Sequence, residues 1–151
     1  MKIHLLVVGK PRDPHACALH DRYAERITKF GVGYESAFVA EVATTGKYSD
    51  DHLREREARQ LLARLDDPGQ VVALDPRGRT LTSEELAGRL ERWASPKATL
   101  VVGGPLGLHR SLLDRADELW SLSSLTLPHE LARVVVVEQL YRALTLLRGI
   151  P

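Results

Sequence analysis

The sequence predicts a single α/β domain in which a parallel sheet is covered by helices on both faces. Apolar runs of strand length alternate with segments of helical periodicity from one end to the other, the order that parallel pairing requires. The 151 residues also hold no internal repeat, low-complexity tract or linker, so residues 1–151 are expected to form one domain. A chain of that length buries about 70% of the surface its unfolded form exposes.

Lys2 to Gly9 (KIHLLVVG) reads as a buried first strand, and His15 to Phe30 as a helix whose inner face holds Leu19, Tyr23, Ile27 and Phe30. Tyr34 to Val42 is the second strand. A polar loop, Thr44 to Ser49, leads into a highly charged helix from Asp50 to about Leu65. Gln70 to Asp75 (QVVALD) is the third strand, ended by the turn Asp75-Pro76-Arg77-Gly78. Thr82 and Glu85 form a capping box that opens a helix to about Ala94, and Ala98 to Gly103 is the fourth strand. A short helix around His109 to Ala116, a brief strand near Leu119 to Ser121 and a last helix from about His129 to Arg148 complete the pattern.

Composition and motif content remove several classes of function. The formal net charge is +1, which leaves any nucleic-acid binding to local patches. The lone Cys17 cannot form an internal disulfide and suits a reducing compartment. The N-terminal apolar run is too short for a signal peptide, and no run reaches the roughly eighteen residues of a membrane span, so a soluble cytoplasmic protein is expected. There is no G-x-x-x-x-G-K-[ST], no G-x-S-x-G, and the glycine cluster after the fourth strand is not G-x-G-x-x-G. No two of the six histidines stand at the i, i+4 spacing of a helical zinc site, and no metal is expected.

Ligands of open parallel sheets bind beyond the carboxyl ends of the strands, and three such ends carry distinctive turns. They are Leu74 to Gly78, Gly103 to Gly107 (GGPLG) and Leu122 to His129. A glycine cluster after a strand marks either a tight turn or a loop that a ligand approaches closely. The third loop sets hydroxyls (Ser123, Ser124, Thr126) among leucines, which suits a ligand with an apolar ring and polar edges. Thr126 is also placed to cap the last helix.

From Val134 to Leu147, ten of fourteen residues are apolar and cover nearly the whole helical wheel, which predicts burial on more than one side. In a small chain this points to a second subunit and hence to a two-fold homodimer, the other arrangement being a central helix beneath a long loop. Arg133 breaks the stripe formed by Val137, Leu140 and Leu144. A guanidinium held there belongs to a site or to an ion pair, with Glu138 or the other subunit as its partner. Glu138 and Arg142 form an i, i+4 pair.

Taken in order, LD-x-x-G, GGPLG and WSLSSLTLPHELAR-x-x-x-x-EQLYRA closely resemble the ribosomal RNA large-subunit methyltransferase H family of the SPOUT class, nearly from end to end. The resemblance implies a C-terminal trefoil knot, an exception to the general avoidance of knots, and a homodimer. It implies S-adenosylmethionine as cofactor, bent within the knot and held by Leu74, Gly103, Gly104 and the segment Ser123, Ser124, Leu125, Thr126, Leu127 and Pro128. The implied reaction is methylation of N3 of a pseudouridine in 23S ribosomal RNA, within the ribosome. Such a transfer needs no metal, only alignment of the nitrogen, exclusion of water and removal of the N3 proton. The candidate catalytic residues are His129, Arg133, Glu138, Tyr141 and Arg142. Members of the family usually continue into a Pro-Tyr-His-Arg tail, whereas the sequence here ends in Arg148-Gly149-Ile150-Pro151. That departure supports a second reading, a non-catalytic dimeric protein that binds an adenosyl ligand or ribosomal RNA. Lys10, Arg12, Lys47, Arg77 and Arg79 are the cations placed to meet RNA phosphates.

Overall fold

A computed structural model describes residues 1–151 as five strands and five helices in strict alternation. They are β1 (Lys2–Val8), α1 (Pro14–Thr28), β2 (Gly33–Val39), α2 (Asp50–Leu62), β3 (Gln70–Thr80), α3 (Ser83–Trp93), β4 (Lys97–Val102), α4 (Arg110–Arg115), β5 (Glu118–Ser121) and α5 (His129–Leu147). All strands pair in parallel, in the order β2-β1-β4-β3-β5. The carboxyl ends of β4, β3 and β5 are therefore neighbours along one edge of the sheet.

Side chains of a strand alternate between faces, and here both faces are apolar. Ile3, Leu5 and Val7 join Val72, Leu100 and Val102 beneath α1, α3 and α5. Leu6 and Val8 join Val71, Ala73 and Val101 on the opposite face, covered by Ala58 and Leu61 of α2 and Leu112 of α4. Burial of each such leucine contributes about 1.5–3 kcal/mol. The capping box at α3 is present: Thr82 Oγ1 accepts from the Glu85 amide at 3.1 Å and Glu85 Oε2 accepts from the Thr82 amide at 2.8 Å. At the far end of α3, Arg89 and Trp93 both donate to Glu118, which ties the helix to β5.

The structure departs from the sequence reading in four places. On α1, Leu19 is exposed and His20 is buried, so the inner face runs through His20, Tyr23, Ala24 and Ile27. The segment Asp75–Gly78 does not end β3. Leu74 and Arg79 both pair with Trp120, and the four residues between them leave the ladder as a bulge. Thr126 caps nothing, because the N-cap of α5 is Pro128, without a side-chain cap. Finally, α5 packs against both α1 and α3, and Val136, Val137, Leu140 and Ala143 are fully buried within the single chain. The coverage that pointed to a second subunit comes from two helices of the same molecule.

Candidate functional site

The bulge in β3 is set by Gly78. A Cβ there would sit 2.6 Å from the backbone of Leu119 and Trp120, so only glycine lets β3 lie this close to β5. Asp75, at the start of the bulge, is buried and accepts from Arg77 through the amide at 2.8 Å and the guanidinium at 2.9 Å. Burial pushes the Asp75 carboxyl up, but the Arg77 side-chain and backbone hydrogen bonds outweigh it and hold the pKa below the usual value. An open cleft of about 700 Å³ lies between this bulge, the start of α2 and the glycine loop, and mixes Arg54, Arg77 and Arg110 with Asp51, Asp75 and Asp114.

The glycine loop folds back on itself through a bridge between Gly104 and Gly107. Gly107 has φ +80°, a conformation that favours glycine. A Cβ on Gly103 would come within 3.1 Å of Gly107 and Leu108, and one on Gly104 within 3.1 Å of Val8. A side chain at either position would press on the protein's own packing by a few tenths of an ångström. The loop after β5 is the most exposed of the three: Ser124, Leu125 and Thr126 face solvent, with Leu125 at 74%. Ser123 organises its start by accepting from the Leu125 amide at 3.0 Å. Leu74, Leu122 and Leu127 pack inward against the core beneath α5.

A second, narrower feature lies between the ends of the central strands β1 and β4 and the first turns of α5. Gly9, Val102, Gly103, His129, Glu130 and Arg133 line a notch of about 10 Å³, room for one oxygen-sized group. Glu130 accepts from the amides of Arg12 at 2.6 Å and Asp13 at 3.0 Å, which fixes the loop after β1 on this side. Those two hydrogen bonds hold its carboxyl below the usual range. Of the five catalytic candidates, His129 and Arg133 face the notch. Glu138 instead pairs with Arg142 at 3.2 Å and receives a bond from Gln139, so it is not the partner of Arg133. Tyr141 packs against Tyr23 and Phe30, about 18 Å along the helix from His129.

The partners of Arg133 are residues the sequence reading did not select. Arg133 is 8% exposed; its Nη2 donates to His20 Nδ1 at 3.1 Å and lies 3.5 Å from Ser36 Oγ, while its Nε has no acceptor. His20 Nε2 is 2.7 Å from Tyr34 Oη. Burial, reinforced by the guanidinium, holds the His20 pKa below its ordinary value, and burial raises that of Tyr34. The available signal was positional: His20, Ala24 and Ile27 share the helical face that must meet the stripe interrupted by Arg133.

The Predicted SPOUT methyltransferase family matches the whole chain, residues 1–151. The chain belongs to the SPOUT methyltransferase family. This SPOUT chain is 42% identical over 154 residues to the ribosomal RNA large subunit methyltransferase H of Anaeromyxobacter sp. strain Fw109-5, covering 100% of this chain and 98% of that one. Its counterparts of the same name from Teredinibacter turnerae and Rhizobium leguminosarum are 38% and 40% identical, again over 100% of this chain and 98% of theirs. Among solved structures, a probable methylase family protein from Haemophilus influenzae superposes with a TM-score of 0.54 at 16% identity, over 97% of this chain and 66% of the other. TrmJ from Z. mobilis gives 0.54 at 15% identity, over 96% and 70%. These two likenesses are of fold, and the family places the SPOUT domain among the α/β-knot proteins. No helix of the SPOUT chain is long and apolar enough to cross a membrane.

Proposed function

We propose that this protein is an S-adenosylmethionine-dependent methyltransferase that modifies N3 of a pseudouridine in 23S ribosomal RNA. The observation that carries the reading is full-length similarity to proteins named ribosomal RNA large subunit methyltransferase H, joined to a notch in which Gly103 of the glycine loop lies with His129 and Arg133 of α5. The loop after β5 suits the cofactor: Ser124 and Thr126 present hydroxyls on either side of the exposed Leu125, an apolar surface with polar edges. In this reading Leu74, Gly103, Gly104 and Ser123 to Pro128 hold S-adenosylmethionine. When bound, that group supplies an electrophilic methyl without a metal.

The chain's own task is to present the ring nitrogen and take its proton. His129, at the first turn of α5, is the proposed proton acceptor, since it lines the notch beside the cofactor loop. Glu138, Tyr141 and Arg142 lie further along α5 and act, in this reading, on the helix and its neighbours. Lys10, Arg12, Lys47, Arg77 and Arg79 are all exposed and would meet phosphates, so affinity for the RNA should fall steeply with salt. The working form is a cytoplasmic homodimer. Leu19, Phe38, Leu131, Leu146 and Ile150 are apolar side chains left exposed by the single chain and supply surface for the partner.

Labelled S-adenosylmethionine, incubated with this protein and large ribosomal subunits that lack the modification, tests the reading. Transfer of label, located on pseudouridine N3 by digestion and mass spectrometry, is the expected result. Cofactor binding without transfer to any ribosomal RNA would leave only a binding protein.

A further inference from the structure

Arg133 is a permanently charged group with no opposite charge beside it. No carboxylate lies within ion-pairing distance of it; its hydrogen-bonding neighbours are His20 and Ser36. A guanidinium only donates, so the Arg133 contact uses the lone pair of His20 Nδ1, an atom that also lies 3.0 Å from Asp21 Oδ1, while His20 Nε2 is 2.7 Å from Tyr34 Oη. Asp21, on the solvent side of His20, is exposed and does not reach Arg133. The guanidinium is thus held from α1 and β2 with no carboxylate paired to it directly, an arrangement that is costly unless something else uses its charge.

Two further observations say where that charge is directed. The orphan Nε–H belongs to a residue more than nine-tenths buried that lines the notch beside Gly103 and His129. The same notch lies at the start of α5, whose first amides have no side-chain cap, so the helix adds positive potential to it. Glu130 is the one acid lining the notch, and its carboxylate is engaged by the amides of Arg12 and Asp13. The site accepts a single oxygen-sized, electron-rich group.

We infer that Arg133 binds a carbonyl oxygen of the target base, next to the nitrogen that receives the methyl group, and stabilises the charge that develops there. The inference rests on the proposed methyltransferase reading. N3 of pseudouridine stands between two carbonyls, so when its proton passes to a base the electron pair left behind is shared with both oxygens. That pair then forms the new bond from N3 to the methyl carbon, as the pair of the broken carbon–sulfur bond returns to sulfur. Arg133 neither gives nor receives a proton. Its Nε–H donates to the oxygen more strongly as charge accumulates, the behaviour of an oxyanion-hole donor. His20, Ser36 and Tyr34 act through Arg133 as positioning residues.

The test uses the full chain with the demethylated cofactor product and an RNA hairpin carrying one pseudouridine. In protein labelled with ¹⁵N-arginine, the Nε resonance absent from Arg133→Lys identifies Arg133. Its proton is expected to move downfield when the hairpin is added, and an unmoved resonance in a complex formed at saturating hairpin would overturn the inference. In transfer assays, Arg133→Met should lower kcat about 10²–10³-fold with cofactor affinity unchanged, and its rate should recover toward higher pH, where the base loses its proton unaided. A melting temperature lowered in Arg133→Met, with the rate per folded molecule and the pH profile unchanged, would reduce Arg133 to a structural role. If Arg133→Met does not fold, Arg133→Lys and the resonance decide. A wild type that transfers no methyl counts against the proposed reaction, whereas the resonance shift reports on this contact alone.

Discussion

Replacing Gly78 with alanine sets one methyl group against the backbone of β5. The added Cβ would lie 2.6 Å from Leu119 C and Trp120 N and 2.8 Å from Leu119 O. Carbon contacts are comfortable at about 3.5–4.0 Å, so β3 and β5 must part by roughly 1 Å. The obstacle is main chain with no rotamer to swing away, and the bulge is held from both sides because Leu74 and Arg79 pair with the same Trp120. Overpacking costs about 1–3 kcal/mol, and a rigid partner places this case near the upper end. At roughly 2–4 °C per kcal/mol for a chain of this size, about 3 kcal/mol lowers Tm by roughly 6–12 °C. Gly88→Ala is the control. Gly88 lies on the exposed face of α3 with nothing within 4 Å of its Cβ position, so alanine there should stabilise by about 0.4–1 kcal/mol. Differential scanning calorimetry of both variants measures the two signs. A Gly78→Ala protein that melts within a degree of wild type would refute the close-approach account of the bulge.

Three other outcomes are expected. Leu140→Ala, at a fully buried position of α5, should cost about 2–5 kcal/mol in urea unfolding, whether or not the protein is a dimer at the concentration used. Thr82→Ala removes half of the capping box and should cost about 1 kcal/mol in the same assay. Glu57 is buried, with one carboxylate oxygen accepting from the Val42 amide and the other unpaired, and burial raises its pKa. The folded state therefore holds this proton more tightly than the unfolded chain, so its contribution to stability is complete below the ordinary glutamate pKa and is lost as pH rises through the raised value. Glu57→Gln should accordingly gain in Tm over wild type more at pH 7 than at pH 4, and a difference independent of pH would contradict the assignment.

The alternation of elements was legible because each strand is a short apolar run between turn residues, and each helix carries a local mark such as Thr82 with Glu85. What escaped depends on residues distant in sequence. Asp75-Pro76-Arg77-Gly78 has the composition of a turn, and only the backbone of Leu119 and Trp120 makes it a bulge inside a longer strand. Leu19 satisfied the apolar period of α1, yet His20 is the inward residue because Arg133 and Tyr34 supply its hydrogen bonds. The apolar circumference of α5 was read correctly as burial on several sides. Its source was not, since sequence patterning does not say that α1 and α3 flank the last helix. The cofactor loops were named through family resemblance, and the notch was reached only in part, through His129, Gly103 and Arg133.

The strand order also sets the timetable of synthesis. β1 precedes β4 along the chain, so its ladder waits for Lys97 to Val102, and the core layer built on Ile3, Leu5 and Val7 waits for α5. Pairings this remote are slow to form and leave apolar surface open in the interval. A nascent chain halted between Trp93 and His129 presents the bare sides of α1 and α3 that α5 would cover, in the form that chaperones hold and proteases cut. Completion of α5 is thus the event that separates a vulnerable polypeptide from a durable one.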